Sequence, residues 1–208
     1  AKLASAFAAA FGEEKLADVL GMAHDIGKYS DAFQRYLRAN GQGSRVDHAT
    51  AGAKVLMRRG MLAAAFCAAG HHTGLPDGGD RGDLPDSGTM WGRLKKEIAD
   101  FRAWQQEVTL PDGVQEPKNR DGFALSFLIR MLFSCLVDAD FLDTEAFMTE
   151  RPAVLRGSYD TMETIFKRLE SYLAPWLLPT QNALHAKRSE ILRTCLEMGK
   201  KSQGLYTL

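Results

Sequence analysis

Met22-Ala23-His24-Asp25-Ile26-Gly27-Lys28 places an imidazole beside a carboxylate at the end of an apolar helical run. Together, His24 and Asp25 can grip one divalent ion, and water on such an ion is a candidate nucleophile at neutral pH. Consecutive helical residues point about 100° apart, so both side chains reach one ion only where the helix is ending and the ion sits off its tip. Gly27, read as a left-handed terminator, supplies that ending. Alone, a His-Asp dipeptide at a helix end is more readily a chance pairing. Four of the five histidines, however, are His24, His48, His71 and His72. Their clustering within residues 24–72 favours a shared site.

Working outward, nearly every periodic segment repeats as a helix. Residues 2–11 are Ala-rich and end at Gly12. Leu16, Val19, Leu20 and Ala23 follow at i, i+3, i+4, i+7 spacing, which buries one helical face. Ser30 can cap the next helix, which turns Phe33, Tyr36 and Leu37 inward. Asp47 or His48 opens another, with Ala51, Val55 and Leu56 on one side. Residues 61–69 form a short, almost wholly apolar helix expected near the centre of the core. Residues 73–88 turn to Gly, Pro and Asp, a long loop that reads equally as a lid or as plain surface. Residues 91–106 read as one amphipathic helix, 111–119 as a polar break, and 123–142 as the most hydrophobic helix. Helices over 159–173 and 181–198 complete an all-α reading, with Pro175 to Pro179 as a hinge or boundary between them.

Composition bounds the partners. The chain has 208 residues, 45% hydrophobic and 25% charged, which fits one large domain or a domain with a tail. Lys plus Arg and Asp plus Glu number 26 each, so no overall cationic pull favours a protein that coats DNA through many phosphates. A local positive groove is compatible with that balance. Apolar stretches are broken by Arg, Asp or Gly short of the ~20 residues that cross a bilayer, so no membrane association is expected. No basic run followed by an apolar run opens the sequence, so no secretory leader is expected. Cys67, Cys135 and Cys195 are odd in number and far apart, as reduced thiols in a cytoplasmic protein.

The other ligands must come from later segments. His48 is the single imidazole between the two pairs. His71 and His72 sit at a helix end between Gly70 and Gly74, where both rings can turn to one side. A hard ligand can come from Asp138 or Asp140, near the end of the most apolar helix, where a carboxylate is costly unless paired or metal-bound. They lie about 200° apart around the axis, so one faces the site and the other faces solvent or caps.

This order of parts resembles the HD metal-dependent phosphohydrolase superfamily. It is most similar to the HD nuclease domain of the CRISPR-associated helicase-nuclease of type I systems. The resemblance is carried by Ala23-His24-Asp25-Ile26-Gly27-Lys28, Asp47-His48-Ala49-Thr50-Ala51-Gly52, Gly70-His71-His72-Thr73-Gly74 and Asp138-Ala139-Asp140-Phe141-Leu142-Asp143-Thr144-Glu145. The double histidine after a separate single histidine is its specific part. Asn182, Arg188, Ile191 and the ending Gly204-Leu205-Tyr206-Thr207-Leu208 resemble what precedes the phosphate-binding loop of the fused helicase in that family, and no G-x-x-x-x-G-K-[ST] is present. The resemblance implies a compact HD-domain helical bundle with its metal site at the centre, spanning residues 1–175. Residues 176–208 would lead towards an absent helicase domain. The family usually carries a further metal-binding histidine in the helix before the His-Asp motif. Residues 1–23 contain none, so that ligand is expected upstream of Ala1.

Carried over residue by residue, the resemblance makes Asp25 a bridge between two ions, with His24 on one and His48, His71 and His72 on the other. Asp140 takes the family's terminal Asp position, with Asp138 as second choice. Lys28 would contact the scissile phosphate or stabilise its developing charge; otherwise it is a solvated lysine past a helix end. The implied reaction is metal-dependent hydrolysis of single-stranded DNA in CRISPR type I interference, an antiviral defence. Two ions about 3.5–4 Å apart would serve attacking and leaving oxygens. Mixed imidazole and carboxylate ligation suits Mn, Fe, Co, Ni or Zn better than Mg alone. The implied partners are single-stranded DNA, a fused or separate helicase, and the CRISPR RNA-guided surveillance complex. Arg93 and Lys96, with Trp91, are candidate strand contacts beside the long loop, although Trp91 reads better as a helix anchor. Two rival readings remain: a nucleotide phosphohydrolase or cyclic-nucleotide phosphodiesterase on the same scaffold, and a non-catalytic docking module. His185 is expected to stand apart from the site.

Overall fold

The computed structural model describes residues 1–117, 121–148, 159–202, 204 and 206–207. Leu205 and Leu208 of the helicase-like ending, and Asn119 of the polar break, lie outside them. Among the described residues every regular element is helical. The chain divides into two units, 1–152 and 153–208. The helix Met162–Leu173, read from sequence with the first domain, falls within the second unit.

The first unit contains α1 (Lys2–Ala8), α2 (Glu14–Ala23), α3 (Asp31–Arg38), α4 (Ala49–Arg58), α5 (Leu62–Gly70), α6 (Met90–Lys95) and α7 (Gly122–Met148). At its centre is α5, where Ala63, Ala64, Ala65, Cys67, Ala68 and Ala69 are all buried. Such small side chains contribute little burial energy each, but they let neighbouring backbones approach. Both α4 and α7 pack against α5, while α1 packs on α2 and α7. The larger core residues Leu16, Leu20, Leu56, Leu132 and Leu136 fill the space between these helices, each worth about 1.5–3 kcal/mol of burial.

Local chemistry sets the helix ends. Gly12 terminates the first helical segment at φ 77°. Ser30 caps α3, accepting from the Phe33 amide at 3.3 Å. Asp47 caps α4, its carboxylate accepting from the Thr50 amide at 3.1 Å and the Thr50 hydroxyl at 2.8 Å. Glu116 accepts from the Ala64 amide at 3.0 Å and so caps α5 from the polar break.

Three expectations need correction. Residues 91–106 are not one helix: α6 stops at Lys95, and a 3₁₀ turn over Arg102–Gln106 follows. The chain leaves the helix at Lys96, whose carbonyl accepts from the Lys54 ammonium at 2.5 Å. Asp100 then takes the Arg102 amide at 3.0 Å, which starts the new turn. Secondly, α7 is long and apolar enough to cross a bilayer by length and composition, contrary to the reading of short apolar runs. Here one stripe of it, Leu128, Leu132, Cys135, Leu136 and Ala139, is buried in the first unit's core. Thirdly, Gly27 is not among the residues of positive φ; its part in the fold is described below.

The 73–88 loop is strapped to α6. The Met90 and Trp91 amides donate to the Asp77 and Gly78 carbonyls at 2.8 and 3.2 Å. Asp83 accepts from the Asp80 amide and the Thr89 hydroxyl. Lys95 reaches back to the carbonyls of Arg81 and Asp83. The Arg81 guanidinium stacks over Trp91, 5.6 Å from the ring centroid, so that tryptophan anchors the helix to its loop.

In the second unit, α8 (Met162–Leu173) and α9 (Ala183–Met198) flank a 3₁₀ turn over Ala174–Leu177. Ser189 donates to the Trp176 carbonyl and Arg193 to the Leu177 carbonyl, both at 2.6 Å. The proline-rich segment is thereby tied to α9. His185 belongs to this unit and to neither ligand cluster described below.

Candidate metal centre

The His-Asp pair does sit where a helix is ending. His24 caps the C-terminus of α2 and still keeps helical angles. Asp25 leaves them, with φ −106° and ψ 6°, and this turn lets both side chains project from one tip. His71 occupies the matching position at the end of α5, where Gly74 closes the turn at φ 89° and donates to the Gly70 carbonyl at 2.7 Å.

Two glycines let a third segment reach this corner. A Cβ on Gly27 would collide with the His48 carbonyl and lie 2.6 Å from the His48 Cα. A Cβ on Gly52 would collide with the Ala23 carbonyl. The backbone before α4 therefore rests directly on the end of α2, which carries His48 to Asp25.

All the proposed ligands except Asp138 converge. His48 Nε2 and His71 Nε2 lie 3.4 and 3.5 Å from Asp25 Oδ1. His24 Nε2 lies 3.3 Å from Asp25 Oδ2 and 3.7 Å from Asp140 Oδ1. His72 Nε2 meets His48 Nε2 at 2.9 Å. Two ligand sets result, Asp25 with His48, His71 and His72, and Asp25 with His24 and Asp140. Asp25 is common to both and presents a different oxygen to each. Asp138 is exposed and belongs to neither set; the helical twist that turns Asp140 inward turns it away.

These groups fit a cation. His24 Nε2, Asp25 Oδ1 and His71 Nε2 are buried and make no hydrogen bond, a costly condition unless something else satisfies them. The opposite ring nitrogens are fixed: Nδ1 of His24 and of His71 contacts the carbonyls of Gly21 and Ala68 at 2.9 and 2.8 Å. A carbonyl only accepts, so Nδ1 carries a proton, and Nε2 is left as the inward-facing atom that can bind an ion. This is the usual support of a metal-ligating histidine.

In the metal-free site the carboxylates hold a proton on His24 that a bound ion would displace. Burial alone would lower the His24 pKa, but its contacts with Asp140 and Asp25 outweigh burial and raise it to about 9. Burial would raise the Asp25 carboxyl, yet His24, His71 and Lys28 hold it far below the ordinary carboxylate range. Asp140 is lowered chiefly by His24. His48 and His72 are lowered, mainly by burial, which keeps their rings neutral as ligands. Lys28 Nζ sits 2.6 Å from Asp25 Oδ2 and remains 39% exposed, so it can meet an incoming anion.

Arg93 and Lys96, read as strand contacts, are engaged inside the protein. Arg93 donates to the Ala69 carbonyl at 2.5 Å and the Thr73 hydroxyl at 3.3 Å, bracing the turn that carries His71 and His72. Lys96 pairs with Asp47 at 3.0 Å, bracing the approach to His48. Phe33 supports the His48 ring edge-on at 4.8 Å. Sequence reading missed these bracing roles; the only local signal was Asp47 three residues before Thr50, a capping pattern.

The family model described as Cas3, HD domain, matches residues 8–137 of this chain. The match takes in His24, Asp25, Lys28, His48, His71 and His72 and stops before Asp140, whose place rests on the geometry. No curated protein matches the chain.

Proposed function

From the premise that the chain belongs to the Cas3 HD-domain family of CRISPR-associated nucleases, we propose that it is a metal-dependent nuclease cleaving single-stranded DNA during CRISPR type I interference. The observation that carries this reading is Asp25, whose two oxygens face two separate ligand sets. Bound there, one or two divalent ions would polarise the scissile phosphate and lower the pKa of a coordinated water. His24 and Asp140 would hold one side, and His48, His71 and His72 the other. The imidazole majority favours Mn, Fe, Co, Ni or Zn over Mg.

Lys28 is the residue this reading assigns to act on substrate. Asp25 orients its ammonium while part of it stays open to solvent, so it can pair with a phosphate oxygen as negative charge develops there. The same reading assigns a helicase and an RNA-guided surveillance complex as partners, delivering single strands in the cytoplasm.

Incubation with Mn²⁺ and a labelled single-stranded oligonucleotide tests this. Cleavage should require the ion, vanish with EDTA and fall to background in Asp25→Ala. Turnover of mononucleotides with no cleavage of DNA would instead favour a nucleotide phosphohydrolase.

A further inference from the structure

A cleft of about 670 Å³ adjoins the ligand cluster, and Lys28, Tyr36, Arg45, His48 and His72 are among the residues lining it. Behind it stands Phe33, buried, with its ring 6.0 Å from that of Tyr36 at a tilt of 49°. Tyr36 is half-buried, and its hydroxyl makes no hydrogen bond among the described residues. Its ring packs against Phe33 and lines the cleft.

The turn after α3 brings a cation to the same place. Asn40 and Gly41 take φ of 52° and 75°. The Gly41 amide donates to the Tyr36 carbonyl at 3.0 Å, and the Asn40 amide to the Leu37 carbonyl at 2.9 Å. This left-handed closure satisfies the last carbonyls of α3 and sends the chain back, so that Arg45 lines the cleft with Tyr36. The other cations of the cleft are committed: Lys28 to Asp25, Lys96 to Asp47, and Arg93 to Ala69 and Thr73. Arg45 has no hydrogen bond or ion pair among the described residues and is exposed.

A supported aromatic ring and an unengaged guanidinium, beside Lys28 and the histidines, match one nucleotide. We infer that this cleft is a nucleotide subsite flanking the scissile phosphate, where Tyr36 stacks an unpaired base and Arg45 holds the adjoining phosphate. The inference rests on the nuclease reading and deepens it: single-strand selectivity is set within this chain, because a base inside a duplex has both faces stacked and offers none to Tyr36. Stacking of this kind tolerates any base.

The test compares fluorescein-labelled oligothymidylate with an abasic strand of equal length, read by anisotropy on the full chain in EDTA. Wild-type protein should bind the thymidylate about tenfold more tightly, the scale of one base–aromatic stack. Tyr36→Leu should abolish that preference while keeping the abasic affinity, which also reports an intact fold; Tyr36→Phe should retain it. Arg45→Ala should weaken both strands and lower the salt slope by about one. A Tyr36→Leu protein that keeps the wild-type base preference would overturn the subsite, as would an Arg45→Ala protein that binds both strands like wild type. Base preference without Mn²⁺-dependent cleavage would support the subsite and reject the nuclease reading.

Discussion

Gly27 and His48 are in backbone contact: a methyl group on Gly27 would have to occupy space already filled by the His48 carbonyl and Cα. The glycine of the His-Asp motif therefore serves a close approach between two segments, since its φ is not positive.

Gly27→Ala should push the segment before α4 away from α2 and draw His48 off Asp25. The expected cost is that of overpacking a filled site, about 1–3 kcal/mol. A lowered melting temperature together with weaker Mn²⁺ binding by titration calorimetry would show it. Unchanged ion affinity would mean that His48 does not depend on this contact.

Asp140→Ala and Asp138→Ala should separate cleanly. Asp140 lies 3.7 Å from His24 Nε2, while Asp138 points to solvent from the same helix. Loss of Asp140 should weaken ion binding by at least the ~10–100-fold that losing an outer partner costs. Asp138→Ala should match the unsubstituted protein in ion stoichiometry and cleavage. Equal defects in the two would reject this choice of ligand.

Arg93→Met keeps the bulk of the side chain but removes the donors that hold the Ala69 carbonyl and the Thr73 hydroxyl. The turn bearing His71 and His72 should loosen, and metal affinity should fall about 10-fold. Strand binding in EDTA should change little, which distinguishes a bracing arginine from a strand contact.

The pH response of metal-free protein follows from His24. Burial opposes its charge, but Asp140 and Asp25 prevail and raise its pKa from 6.5 to about 9. A raised folded value contributes stability fully below the unfolded pKa and loses it as pH climbs through the folded one. In EDTA the melting temperature should therefore fall between pH 6.5 and 9, with a shallower fall in His24→Gln. An added ion takes the place of the His24 proton, so the stabilisation by Mn²⁺ should grow over the same range. Differential scanning fluorimetry with and without Mn²⁺ reads both trends.

Helix periodicity exposed much of the first unit, because α2 and α7 each bury a regular stripe, while α5 was legible as a short, almost wholly apolar run. The candidate ligands were legible for a related reason, as His24, Asp25, His71 and His72 stand at helix ends with glycines nearby. Sequence could not choose between Asp138 and Asp140, since both fit a helical face and only packing decides which turns inward. It also overextended the helix after Trp91. Long-range contacts end that helix, with Lys54 taking the Lys96 carbonyl from 42 positions away. The roles of Gly27 and Arg93 were hidden for the same reason, since each depends on a segment at least 20 residues distant.

The alanine-rich spine of α5 has a consequence for the chemistry at its tip. His48 precedes the first turn of α4 and His71 follows the last turn of α5, and these helices pack side by side, with the two rings 5.8 Å apart. The thickness of the methyl layer between the two rods is thus also the bite of the ligand pair. A larger side chain on the face of α5 that meets α4 would widen that bite, so core volume and the ionic radius accepted at the far end would change as one variable.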